Sequence, residues 1–300
     1  MEQSTTAVNS GRFGYAGVAL PSCSPVVEVH GFFGRCADFG VSGNHGRVAF
    51  RNRLHANRNS MHGGRLKEYD PGRPLFFLHL PKTGGTSARE IYAVWFKDVL
   101  LLHYYNEVAS KMPKKYDLAR LHAAGKSVAV CGHFNRARGF GVDQYYPDAS
   151  QFITILRNPL ERALSSYFHL RRRKEKFQDK SRIPGDDVTE FLLTTKMSIV
   201  NQFPPGITLS NYKDFIESLF IEIGLLECLD ESLSRIARKL GRVYAPGSVP
   251  LLNVASRPAT DLPDSLKDEF MNRKQLDYAV YNYISSRYQL PGAAAPRPGG

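Results

Sequence analysis

The sequence predicts an α/β fold, with a central parallel sheet flanked by helices in three layers. Three observations carry this. Apolar runs of strand length recur at 75–80, 127–131, 152–156 and 220–226. Amphipathic patterns of period 3.6 alternate with them, as in chained βα units. The first run is apolar save for His79, the pattern of a strand buried on both faces of a parallel sheet.

The first run, Leu75-Phe76-Phe77-Leu78-His79-Leu80, stops at Pro81. A glycine-containing turn then leads into a helical pattern through Ala88, Ile91, Tyr92 and Trp95. Ser127 to Cys131 reads as a second strand and Phe152 to Leu156 as a third. The third feeds a helix with a legible start. Asn158 is placed to cap it, Pro159 fits the first helical position, and Glu161 stands where a capping box sets its carboxylate. Leu160, Ala163, Leu164, Tyr167 and Phe168 follow at helical spacing and predict one buried face. Phe220 to Leu226 is a fourth strand. Leu229, Leu233, Ile236, Ala237 and Leu240 form an amphipathic helix stopped by Gly241, and 264–288 reads as helical. Segments 101–126 and 171–210 read as loops, the places where an acceptor pocket is expected.

The chain has 300 residues and a 42% hydrophobic fraction, enough for one large domain. That domain is expected over 71–290. Residues 1–70, rich in Gly, Ser, Asn and Arg without sustained periodicity, read as a loosely ordered leader, and translation starting at Met61 is one expectation for it. Residues 291–300 are Pro/Gly/Ala low complexity and read as a disordered tail. Four scattered cysteines (Cys23, Cys36, Cys131 and Cys228) fit a reducing compartment better than a disulfide scaffold. With no apolar run of spanning length and no secretory signal pattern, the sequence points to a cytoplasmic protein without a membrane span. The net charge of +12 favours anionic partners but does not choose among them. No helix-turn-helix, zinc or RNP signature is present, so nucleic acid is not the expected partner.

Two motifs carry chemistry, both at predicted strand ends, where α/β sheets bind ligands. In Pro81-Lys82-Thr83-Gly84-Gly85-Thr86-Ser87 the glycines let successive N–H groups turn toward an anion. The helix start adds unpaired donors, Thr83, Thr86 and Ser87 add hydroxyls, and Lys82 adds a charge. This strand–loop–helix opening makes the fold P-loop-like. It is not a Walker loop, whose lysine follows the last glycine. The alternative is an ordinary strand-to-helix turn. In the second motif Arg157 ends a strand and Ser165 lies eight residues on, two turns into the next helix. A guanidinium fork and a hydroxyl so spaced can converge on one phosphate. The alternative is a capped helix with an exposed arginine. Together, two anion sites on neighbouring strand ends suit a nucleoside with phosphates at both ends.

Of nine histidines, none forms a close metal-ligand pair, and no metal is expected. His133 directly follows the strand ending at Cys131, which puts it at a strand's carboxyl end. A structural histidine is the competing reading. His79, just before the loop, is the reserve candidate, for which a strand-end histidine packed on the sheet is the favoured reading. Arg171-Arg172-Arg173-Lys174 reads as a solvated helix end complementing the helix dipole.

On these motifs the chain resembles the PAPS-dependent sulfotransferases (PAPS is 3′-phosphoadenosine 5′-phosphosulfate), especially the branch containing heparan sulfate 2-O-sulfotransferase and its bacterial relatives. The resemblance covers roughly 74–288. It includes Gly224-Leu225-Leu226-Glu227 with Ser232-Leu233, and Leu252 to Pro258 as a later loop. It does not cover the leader, and the membrane anchor of the animal members has no counterpart here. The resemblance implies sulfuryl transfer from PAPS, leaving PAP, to a hydroxyl of an acceptor, a carbohydrate by analogy with the branch. It implies that 81–87 hold the 5′-phosphosulfate, that Arg157 and Ser165 hold the 3′-phosphate, and that His133 in its Gly-His dipeptide is the base. Lys82 would neutralise charge on the departing phosphate. The rival readings are an ATP-dependent P-loop kinase, against which the lysine position speaks, and a non-catalytic basic protein binding acidic polymers.

Overall fold

A computed structural model describes residues 64–107, 109–123, 127–176, 183–249 and 260–288. The bulk of the leader with Met61, the tail 291–300, Cys23 and Cys36, and the loop 252–258 lie outside the described residues.

Five strands form one sheet: β1 (Leu75–Leu78), β2 (Leu100–His103), β3 (Ala129–Gly132), β4 (Phe152–Leu156) and β5 (Phe220–Leu225). Their order is β2-β3-β1-β4-β5, and every neighbouring pair is parallel. The three-layer α/β architecture predicted from the sequence is therefore the one observed. Alternation along β1 divides the core. Leu75 and Phe77 face a layer built with α1 (Gly85–Phe96) and α7 (Leu229–Leu240), where Ile91, Tyr92, Trp95, Leu233 and Ile236 are buried. Phe76 and Leu78 face the opposite layer, with α6 (Tyr212–Leu219) and α9 (Gln275–Arg287) contributing Ile216, Val280 and Ile284. A third cluster joins α4 (Pro159–Arg172), α5 (Val188–Thr194) and α8 (Asp264–Arg273) through Leu164, Leu192 and Phe270.

The topology positions the site. From β1 the chain builds β3 and β2 on one side and β4 and β5 on the other, so the order reverses between β1 and β4. At such a switch point the loops leaving the two strands part and open a crevice at their carboxyl ends.

Several expectations are corrected. The predicted loop 101–126 begins inside an edge strand, β2, and also contains α2 (Leu118–Ala123). The predicted loop 171–210 contains the end of α4 and all of α5. The helical stretch 264–288 breaks at Lys274 into α8 and α9. On α4 the buried set includes Arg162, whereas Leu160 and Phe168 are half-exposed. The reason is an ion pair with Asp277, itself buried, at 3.3 Å. Residues 64–70, read as leader, are tied to the sheet. Leu66 is buried in the core, the Lys67 N–H donates to the Phe220 carbonyl, and the Gln151 amide donates to the Asp70 carbonyl.

Candidate active site

The loop between β1 and α1 is a strained, backbone-lined turn. Lys82 (φ 71°) and Gly84 (φ 76°) are both left-handed, which costs a non-glycine residue about 1–2 kcal/mol at Lys82. The Thr83 hydroxyl donates to the Leu80 carbonyl at 2.9 Å, pinning the turn from inside. Gly85 is the first residue of α1, and its reason for being glycine is the ring of His79. A Cβ there would lie 2.0 Å from Cδ2 and 2.2 Å from Nε2. A Cβ on Gly84 would meet Leu226 Cδ1 at 2.5 Å. Thr86 is half-exposed and Ser87 buried on the first turn of α1, whose free N–H groups and dipole favour an anion.

Arg157 leaves the neighbouring strand β4 and turns onto this loop. Its Nη1 reaches the Lys82 carbonyl at 3.4 Å, and its Nη2 pairs with Glu161 at 3.3 Å. The capping predicted for α4 is half right. The Asn158 side chain accepts from the N–H groups of Leu160 and Glu161, but the Asn158 N–H donates to Glu227 of another element at 2.7 Å. Ser165 lies half-exposed two turns along α4. Among the described residues, the hydrogen-bond and ion-pair partners of Arg157 are the Lys82 carbonyl and Glu161.

The basic run after α4 divides. Arg171 is spent on structure, donating to the Pro184 carbonyl and pairing with Asp186. Arg172 and Arg173 are exposed, and their charges bear on Lys82. Burial first, then Arg172, Arg157 and Arg173, hold the Lys82 ammonium below the usual lysine range. Burial and then Lys82, Arg173 and Arg172 push His169 down to about 4. Helical side chains slope toward the N-terminus, so a helix end can reach back over its own earlier turns. Arg172, Arg173 and Lys174 are exposed, as the reading of a solvated helix end expects, and the charges of Arg172 and Arg173 are felt at Lys82. His169 was not singled out by any sequence pattern, although it stands one turn beyond Ser165 on α4.

On the other side of the loop, the rings of His79 and His133 lie 4.5 Å apart. Tyr104 completes the group: its hydroxyl is 2.7 Å from His79 Nδ1, and its ring centroid is 4.9 Å from that of His133. Burial pushes His133 down to about 4, with Glu107 opposing and Arg89, Arg138 and His103 adding to the shift. Its Nε2 is buried without a hydrogen-bond partner among the described residues. Burial, His133 and Arg89 hold His79 well below the usual histidine range. Both rings are therefore neutral near pH 7. His133, Lys82 and Arg157 come from the ends of β3, β1 and β4, three adjacent strands.

No protein-family model and no curated protein matches the sequence. Among solved structures, mouse sulfotransferase SULT7A1 complexed with PAP aligns over 70% of this chain and 67% of its own, at 15% identity and a TM-score of 0.36.

The Gly224–Leu233 motif has a structural account. A Cβ on Gly224 would meet Ser232 Cβ at 2.7 Å. The Ser232 hydroxyl accepts from the Leu225 N–H and donates to the Leu225 carbonyl, closing the end of β5. Glu227, just beyond, takes the Asn158 N–H and so fixes the backbone that follows Arg157.

Proposed function

We propose that this protein transfers the sulfuryl group of PAPS to an acceptor hydroxyl, and that the acceptor is a carbohydrate. The observation that carries the reading is the Arg157 guanidinium reaching the Lys82 carbonyl at 3.4 Å, which joins a strand-end arginine to a lysine-bearing glycine turn at a helix start. A nucleotide with about four negative charges, two at each end, fits these donors, and the space that a Cβ would fill at Gly84 and Gly85 is needed by Leu226 and His79, which keeps the turn's backbone bare. In this reading the N–H groups of Thr83, Gly84 and Gly85, with Thr86 and Ser87, bind the 5′-phosphosulfate. Arg157 and Ser165 bind the 3′-phosphate.

Sulfuryl transfer is an in-line displacement, so the protein's part is positioning and charge stabilisation. The acceptor oxygen attacks sulfur as the S–O bond to the 5′-phosphate breaks, and the electron pair leaves with that phosphate. His133 Nε2 takes the hydroxyl proton. It suits the role because burial keeps it neutral and the atom has no described partner. Lys82 faces the charge that accumulates on the departing phosphate.

The test is calorimetry of PAP, AMP and ATP–magnesium with the wild type and Arg157→Ala. Micromolar PAP binding, little AMP binding, and loss of the difference in Arg157→Ala support the reading. Stabilisation by ATP–magnesium and not by PAP replaces it with a kinase.

A further inference from the structure

We propose that His79 is a binding residue for the sulfuryl end of the donor, presenting a fixed Nε2–H at the start of α1. The inference rests on the function proposed above and adds a residue that the loop motif does not contain.

Hydrogen-bond bookkeeping fixes the tautomer. The Tyr104 hydroxyl has two acceptors in reach, His79 Nδ1 at 2.7 Å and Cys131 Sγ at 3.7 Å. A thiol sulfur is a weak acceptor and imidazole nitrogen a good one, so the O–H points at Nδ1. The Arg89 guanidinium lies 6.0 Å from the centre of the Tyr104 ring and only donates, so it offers that hydroxyl no competing acceptor. With Nδ1 accepting, the neutral ring carries its proton on Nε2. That edge of the ring fills the space a Gly85 side chain would take, at the first residue of α1. The groups facing His79 are Tyr104, Arg89, His133 and the loop. The ring that carries this edge against Gly85 has the ring of His133, the residue assigned as base, 4.5 Å away.

Two measurements test this. The first is the tautomer in the ligand-free protein, read from ¹⁵N–¹H correlations of the His79 ring. The proton is expected on Nε2 in the wild type, with mixed tautomers in Tyr104→Phe; a proton on Nδ1 in the wild type overturns the proposal. The second is calorimetry with PAP and PAPS, which differ only by the sulfuryl group. His79→Ala is expected to weaken PAPS by about tenfold, the size of one hydrogen bond to a charged group, with PAP changed less than about twofold. His79→Gln, which keeps an N–H near the Nε2 position, is expected to recover most of the loss. Equal weakening of PAP and PAPS, or no weakening of either, overturns this inference alone. A wild type that binds neither nucleotide overturns the proposed function with it.

Discussion

The Arg157 guanidinium reaches the backbone carbonyl of Lys82 at 3.4 Å, joining the two anion motifs across the β1–β4 switch point. A carbonyl contact of that length is weak, and the Glu161 carboxylate pairs with the arginine at a half-exposed site. A ligand phosphate therefore competes for the guanidinium only with a weak carbonyl contact and a half-exposed ion pair. Arg157→Ala is expected to lower PAP affinity about 10- to 100-fold while leaving AMP affinity within about twofold. Lys82→Ala is expected to cut kcat about 10²- to 10³-fold with a smaller effect on PAP binding. Calorimetry and initial rates separate the two.

Gly85 and His79 compete for one volume. Gly85→Ala forces the imidazole out and is expected to destabilise the fold by about 1–3 kcal/mol, as overpacking does. In a His79→Ala background the same change meets an open space. Its cost is expected to fall below about 1 kcal/mol, a coupling that thermal unfolding of the double-mutant cycle measures. Equal costs in both backgrounds would show that the backbone, not the ring, demands glycine.

How far the sequence speaks is visible in the same residues. Strands β1, β3, β4 and β5 announce themselves as apolar runs bounded by breakers, and β4 matches its predicted range residue for residue. Strand β2 does not, because Leu100 follows α1 through a single 3-10 turn, Lys97–Val99, with no Gly or Pro between. The glycine turn was legible as a turn. That Gly85 yields space to His79 was not, since Gly85 is helical and the clash depends on a ring orientation. Contacts between distant segments, such as His79 with Tyr104 and Arg162 with Asp277, leave no local pattern. The same holds for Arg172 and Arg173, whose run of charge reads identically whether it faces solvent or curls back toward Lys82.

The Arg162–Asp277 pair anchors α4, the helix that follows Arg157, to α9. Asp277 also accepts from the Ser198 hydroxyl at 2.6 Å and the Ile199 N–H at 3.0 Å. Asp277→Ala strands a buried guanidinium and two further donors, and is expected to destabilise by about 3–5 kcal/mol. Arg162→Met together with Asp277→Leu removes both charges and is expected to cost less than Asp277→Ala alone. Urea denaturation of the three proteins decides it. A double variant worse than the single would mean that the Ser198 and Ile199 bonds, not the charge, dominate.

Acid should affect stability and activity in different windows. His103 and His133 sit at about 4 in the folded protein against 6.5 for an unperturbed histidine, because burial disfavours their charged forms. Their folded pKa values are depressed, so the unfolded chain binds more protons between those limits. Their contribution to stability is complete above pH 6.5, falls as pH drops toward 4, and changes no further below it. Each is expected to remove up to about 1.4 kcal/mol per pH unit inside that window. His103→Gln should flatten the slope by about one proton in denaturation series between pH 7 and 4. For activity, His133 must be neutral to accept a proton, so the acid limb of kcat/KM is expected near pH 4, where the fold allows the measurement. A bound polyanion favours the imidazolium, so the acid limb of kcat is expected at higher pH than that of kcat/KM. Coincident limbs, or an acid limb unchanged in His133→Ala with activity retained, would remove His133 from the role of base.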